Sequence, residues 1–144
     1  MGLFIFSLSL PLSATDTYRA TAKELYELRE RCGKTCAQRF KEEYGKEGIY
    51  SDNDEKGARS YNSHYNTKLN KCFILITDMD YGPNNGGLIK LLWDVNENKE
   101  YGQLILLQKD KLPFSTKVSY CRFLEKQCYS EQEWDLLVKS YMEE

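Results

Sequence analysis

The spacing of apolar side chains divides the chain into a helical start, a β-rich middle and a helical end. Leu25, Leu28, Cys32, Cys36, Phe40 and Tyr44 step by three or four and draw one stripe along a helix. Thr15, Asp16 or Thr17 can cap its start, and Gly45 can end it in the left-handed conformation. Gly33 is the weak point, because glycine costs about 1 kcal/mol against alanine inside a helix, which leaves a kink or two shorter helices open. Residues 45–60 (GKEGIYSDNDEKGARS) are polar, glycine-punctuated and without period, and read as a mobile loop.

Strand texture begins at Tyr61. Residues 72–77 (CFILIT) form a continuous apolar run of strand length, which predicts cover on both faces, one of them by the first helix. Residues 78–87 (DMDYGPNNGG) are turn chemistry throughout. Residues 88–95 and 101–107 are two β-rich runs around Asn96-Glu-Asn-Lys99, a hairpin with a loop of about four or five residues. A polar connection interrupted by Pro113 leads to a last short strand at 118–124. Ser130 then caps a closing helix, and Glu133 stands three residues on as the return half of a capping box. Trp134, Leu137, Val138, Tyr141 and Met142 give that helix one apolar face. The expected fold is a single α+β domain over residues 15–144: an N-terminal helix, a mainly antiparallel sheet of four to five strands, and a C-terminal helix.

Composition narrows the function classes. A chain of 144 residues is one domain of ordinary size, and 41% hydrophobic with 13% aromatic residues supplies a core. Lys+Arg number 20 and Asp+Glu 22, a net charge of −2, which argues against a nucleic-acid partner.

Residues 1–14 (MGLFIFSLSLPLSA) carry no charge and hold an apolar run of about ten residues, the length of a signal-peptide core. That run is too short for a bilayer, which needs about 20 apolar residues. Pro11 and the Ser13-Ala14 pair suit a cleavage site, although Leu12 is larger than such a site prefers. The first basic residue is Arg19, so the basic start of a signal peptide would lie upstream of Met1. The alternative is a buried N-terminal strand. The expectation is a periplasmic or secreted protein with no membrane span in the mature chain.

Five cysteines, Cys32, Cys36, Cys72, Cys121 and Cys128, point the same way, since disulfides persist in oxidising compartments. Zinc ligation fits poorly, with one near-spaced pair (Cys32-Gly-Lys-Thr-Cys36) and a single histidine, and haem attachment fails because position 37 is Ala. No metal and no cofactor is expected. Cys32 and Cys36 are one turn apart, with Cβ atoms about 5–6 Å from each other, too far to bond while the helix is regular. A bridge from the helix to the apolar strand is favoured as Cys36–Cys72, and Cys121 with Cys128 closes a local loop. The loop-entropy model assigns these about 4 and about 2.5 kcal/mol. Cys32 is then the odd thiol, either a small buried hydrophobe or an exposed group able to link two chains.

Three segments carry a resemblance: Cys36-Ala-Gln, His64-Tyr-Asn-Thr-Lys-Leu-Asn-Lys-Cys72-Phe, and the tail from Cys121 through Cys128-Tyr-Ser-Glu-Gln-Glu-Trp134 to the end. The chain resembles a group of small exported proteins of proteobacteria that share a helix cysteine, an HYN…CF strand and a C-x6-C…S-x-x-E-[FW] tail. The likeness covers most of the chain from Cys36 onward. It implies export and four paired cysteines, Cys36, Cys72, Cys121 and Cys128, and it lends no activity. Cys32 is additional to that pattern, and Ser63 stands where the pattern has Asn.

His64 is the only histidine, so any Ser-His-Asp or Cys-His mechanism must run through it, yet no nucleophile signature accompanies it. Its alternative role is a hydrogen bond within the sheet. Asp78 and Asp80 could form a carboxylate pair, but they read better as caps of the turn at Gly82-Pro83. A calcium loop from Asp52 fails at Lys56 and Ser63, and no phosphate-binding glycine motif is present. Of eleven tyrosines, Tyr61, Tyr65, Tyr81 and Tyr101 are candidates for a recognition surface, the other reading being that they cover a small core. These residues point to a non-catalytic binding or interaction module of the bacterial cell envelope, meeting an envelope protein or a small ligand. The second reading is a small envelope hydrolase using His64.

Overall fold

A computed structural model describes residues 20–52, 55–81, 86–108 and 116–143. The signal-peptide reading and the Pro113 connection fall outside the described residues, as do Thr15, Asp16 and Thr17, but the cap expected at one of those three is corrected, since Thr21 caps the first helix. The elements in chain order are α1 (Ala22–Tyr44), β1 (Gly48–Asp52), β2 (Glu55–Asn66), β3 (Lys71–Asp80), β4 (Gly87–Asp94), β5 (Lys99–Gln108), β6 (Thr116–Phe123), β7 (Lys126–Gln127) and α2 (Glu131–Met142).

Helix α1 begins at a full capping box: the Thr21 hydroxyl accepts from Glu24 N at 3.3 Å, and the Glu24 carboxylate accepts from Thr21 N at 2.7 Å. It then runs unbroken for 23 residues. Gly33 does not divide it; packing along the stripe outweighs the local cost. Gly45 ends the helix at φ 81°, ψ −118°, with its N–H donating to Lys41 O at 3.1 Å. The positive φ is as expected, but this backbone lies outside the left-handed helical well.

The strands among the described residues join in one seven-stranded antiparallel sheet of order β1-β2-β3-β4-β5-β6-β7, two or three strands more than the sequence suggests. Much of the surplus lies in residues 45–60, read above as a loop, where β1 and the first half of β2 pair from Gly48↔Arg59 to Asp52↔Glu55. This edge hairpin buries little, so its sequence has no alternation to betray it. Its order comes from the backbone ladder and from Tyr50, whose ring lies across its partner Gly57 so closely that any side chain there would collide with the phenol. Strand β3 continues through Asp80, so residues 78–80 belong to the sheet and not to a turn.

The two helices cover opposite faces. On β3, Cys72, Ile74 and Ile76 join Cys32, Cys36 and Phe40 of α1 in one core. Phe73 and Leu75 join Trp134, Val138 and Tyr141 of α2 in the other. This double burial is why the strand is apolar without alternation. Ser130 caps α2 by accepting from Glu133 N at 3.1 Å, but the Glu133 carboxylate reaches Tyr129 N at 2.9 Å, one residue ahead of the cap. The far end of α2 is tied to β2 by Asn66, 1% exposed, whose amide donates to Ser140 O and Tyr141 O at 3.2 Å each.

Two disulfides cross-link the domain, Cys32–Cys72 and Cys121–Cys128. The second is the local loop expected, closing the β6–β7 hairpin. The first joins α1 to β3 as expected but through Cys32, not Cys36; the favoured pair Cys36–Cys72 is not the one formed. Both cysteines face Cys72 from neighbouring turns, and the seating of α1 brings Cα of Cys32 to 5.4 Å from Cα of Cys72, inside the bonding range. Among the described residues, no helix is long and apolar enough to cross a membrane.

Candidate functional site

The residues singled out in the sequence scatter. His64 sits on β2 opposite Phe73 and so faces α2, as does Asn66. Strand alternation turns its sequence neighbours Ser63 and Tyr65 to the α1 face, where Asp78 also lies. A Ser63–His64–Asp78 arrangement is therefore divided by the sheet. Tyr65 and Tyr101, 7% and 9% exposed, are core residues and offer no recognition surface. Tyr65 donates its hydroxyl to Asn70 in the β2–β3 turn, and Tyr101 packs edge-on against Phe73. Tyr61 is half-buried with its ring 4.7 Å from Phe40. Tyr81 alone of the four is well exposed, at 57%.

A different group assembles on the α1 face where that helix ends. Cross-strand pairing sets Arg59, Asp78, Ile89, Ile105 and Tyr120 in one row from β2 to β6. Arg59 Nε donates to Asp78 at 2.7 Å, and its guanidinium lies 4.3 Å from the Tyr50 ring centre and 5.8 Å from that of Tyr44. The Tyr50 hydroxyl donates to the other Asp78 oxygen at 3.2 Å. Beside this ion pair the sheet is apolar, with Leu107 and Tyr120 45% and 39% exposed. Tyr50, Arg59, Asp78, Asp80, Ile89 and Ile105 line an open depression of about 230 Å³.

The hydrogen bond from Arg59 to Asp78 raises the guanidinium pKa further above its usual range. Burial, then the negative charge of Asp78, pushes the Tyr50 phenol up; burial followed by Glu43 does the same to Tyr44. These three side chains therefore keep their protons near neutral pH. The sequence hid it: Tyr50 and Arg59 fall in the stretch without period, and Asp78 in the stretch read as a turn.

The other chemical concentration is buried. Cys32, Cys36 and Cys72 hold their sulfurs within 4.8 Å of one another. Cys36 is the free thiol, 3.6 Å from Cys72 Sγ and 3.6 Å from Phe73 O, and burial pushes its pKa up to about 12.

Fold and site thus define a disulfide-linked α+β domain, a seven-stranded antiparallel meander with one helix on each face and an aromatic–cationic patch beside the end of α1. Comparison with known proteins adds nothing to that class: no family model, no curated protein and no solved structure matches the chain.

Proposed function

We propose that the chain is a non-catalytic interaction module of the bacterial cell envelope, led out by residues 1–14 and working in the periplasm or outside the cell. The observation that carries this reading is the row Arg59–Asp78–Ile89–Ile105–Tyr120. It sets arginine and tyrosine, types enriched among the residues that dominate binding energy at protein interfaces, beside aliphatic side chains on one face of the sheet. At about 230 Å³ the depression is below the roughly 300–1,000 Å³ of small-molecule pockets, which favours an envelope protein over a small ligand. The two disulfides and the resemblance of the tail to exported proteins support the compartment.

The test places a photo-crosslinking residue at Tyr120, on the patch, and at Lys34, on the outer face of α1, in cells of the native host. A discrete adduct from position 120 alone, lost when Leu107→Glu is added, is the expected result. Adducts independent of position would overturn the reading. So would a hydrolytic turnover abolished by His64→Ala, which is the outcome the hydrolase reading requires.

A further inference from the structure

We infer that the bridge between α1 and β3 is interchangeable, with Cys36 able to replace Cys32 as the partner of Cys72 by thiol–disulfide exchange. Three sulfurs and no outside reagent are needed. Cys36 gives up its proton and its thiolate attacks Cys72 Sγ; the Cys36–Cys72 bond forms as Cys32–Cys72 breaks, and Cys32 leaves with the electron pair and takes up a proton. One disulfide and one thiol stand on each side of the step, so no net oxidation occurs.

The geometry selects the sulfur attacked. Cys36 Sγ is already 3.6 Å from Cys72 Sγ, in van der Waals contact. Attack on Cys32 would instead link two cysteines one helical turn apart, whose Cβ atoms at about 5–6 Å exceed the roughly 3.8 Å of a disulfide. Helix α1 thus presents two thiols to one strand sulfur, and the product keeps the same helix tied to the same strand. At the present 3.6 Å contact and with a disulfide bond of about 2.0 Å, a collinear approach would set the outer sulfurs about 5.6 Å apart, whereas all three lie within 4.8 Å of one another and so are bent away from the line of attack. Cys36 must therefore swing about its Cα–Cβ bond before it reacts. That swing and the protonated, buried state of the thiol, opposed only by the positive charge of Arg39, make the exchange slow in the resting fold. Exchange shifts the free thiol one turn along α1. It moves toward the end where Leu25, Leu28 and Thr67 line a surface depression.

Lys34 lies between the two helix cysteines and makes the test direct, because trypsin cleaves after it. Wild-type protein is held folded at about pH 8 for longer than the α1 and β3 amides take to exchange with solvent. It is then denatured at mildly acidic pH with N-ethylmaleimide, digested without reductant and mapped by mass spectrometry. Label on the Cys36 peptide reports the starting bridge, and label on the Cys32 peptide reports exchange; both are expected, the second growing with time. Label confined to Cys36 at every time overturns the proposal. Label on Cys121 or Cys128 also overturns it, since that means general scrambling. Cys32→Ser gives a second reading: oxidised by glutathione, it should form Cys36–Cys72, and two lasting free thiols in a folded variant would count against the proposal. If that variant does not fold, the wild-type map decides.

Discussion

The indole of Trp134 fills the space in front of Gly102 where any other residue would carry a Cβ. A methyl group there would come within 2.6 Å of Trp134 Cζ3 and 2.8 Å of Phe123 Cδ2. Trp134 is 0% exposed, and its ring N–H is buried without a hydrogen-bond partner among the described residues, so shape alone seats it. Gly102→Ala should therefore destabilise the fold by displacing the ring, and Trp134→Ala should cost about 3–5 kcal/mol. Trp134→Phe should cost less, since it keeps a ring and removes the unsatisfied donor. Urea unfolding of the three variants checks the order; a neutral Gly102→Ala would contradict the packing of α2 on β5.

Gly33 has the opposite environment. A methyl group there meets only Ser63 Oγ, at 3.9 Å, an ordinary contact. Gly33→Ala should raise stability by about 0.5–1 kcal/mol, since alanine is the better helix former and narrows the unfolded ensemble. A melting temperature higher by about 2–4 °C is the corresponding reading.

Asp94 is 0% exposed and accepts from Lys71 Nζ at 2.6 Å and from the backbone N–H groups of Asn96 and Glu97 at 3.0 and 3.2 Å. It holds the β4–β5 turn to the start of β3. Asp94→Ala should cost about 3 kcal/mol, because it strands two turn donors and a partly covered ammonium. Lys71 also meets the exposed Glu97 at 2.6 Å, and Glu97→Gln should change stability by less than about 1 kcal/mol. Chemical denaturation of both variants separates the two partners.

Mass before and after reduction should differ by about 4 Da if both disulfides are present. One thiol, Cys36, should be blocked only after unfolding, because it is 0% exposed. Intact-mass measurement with a maleimide under native and denaturing conditions reads both, and rapid labelling of the native protein would contradict the burial.

Alkaline stability should follow Cys36. Its thiol titrates near 9.0 when solvated and about 12 when folded, so from pH 9 to 12 the folded state binds the proton that the unfolded state has lost. Stability is then fully present below pH 9 and falls as pH rises, by about 1 kcal/mol at pH 10. Tyr44 and Tyr50, also raised by burial, act in the same direction at higher pH. Cys36→Ala should flatten the first part of the decline, and an unchanged slope would show that the thiol titrates normally in the folded chain.

How much of this was legible depended on burial. The α1 stripe and the α2 face could be read from helical periodicity, the β3 run from its unbroken apolar stretch, and the β4–β5 hairpin and the Ser130 cap from local turn and capping residues, and the structure has all of them. The β1–β2 edge could not, since Tyr50 and Arg59 gain their order from partners on other strands. The local Cys121–Cys128 link followed from nearness in sequence. The helix–strand link was legible as a contact but not as a pair.

The amino-acid order by itself determined two terminal helices, a β-rich centre and a set of cysteines within reach of one another, because periodicity and short separations are properties of the chain. Only the tertiary structure decided that Cys32 rather than Cys36 bonds Cys72, that Tyr65 and Tyr101 are interior, and that Arg59, Asp78 and Tyr50 meet. Those outcomes depend on how a helix seats on a sheet and which strands are neighbours, and such long-range registers leave no local trace in the sequence.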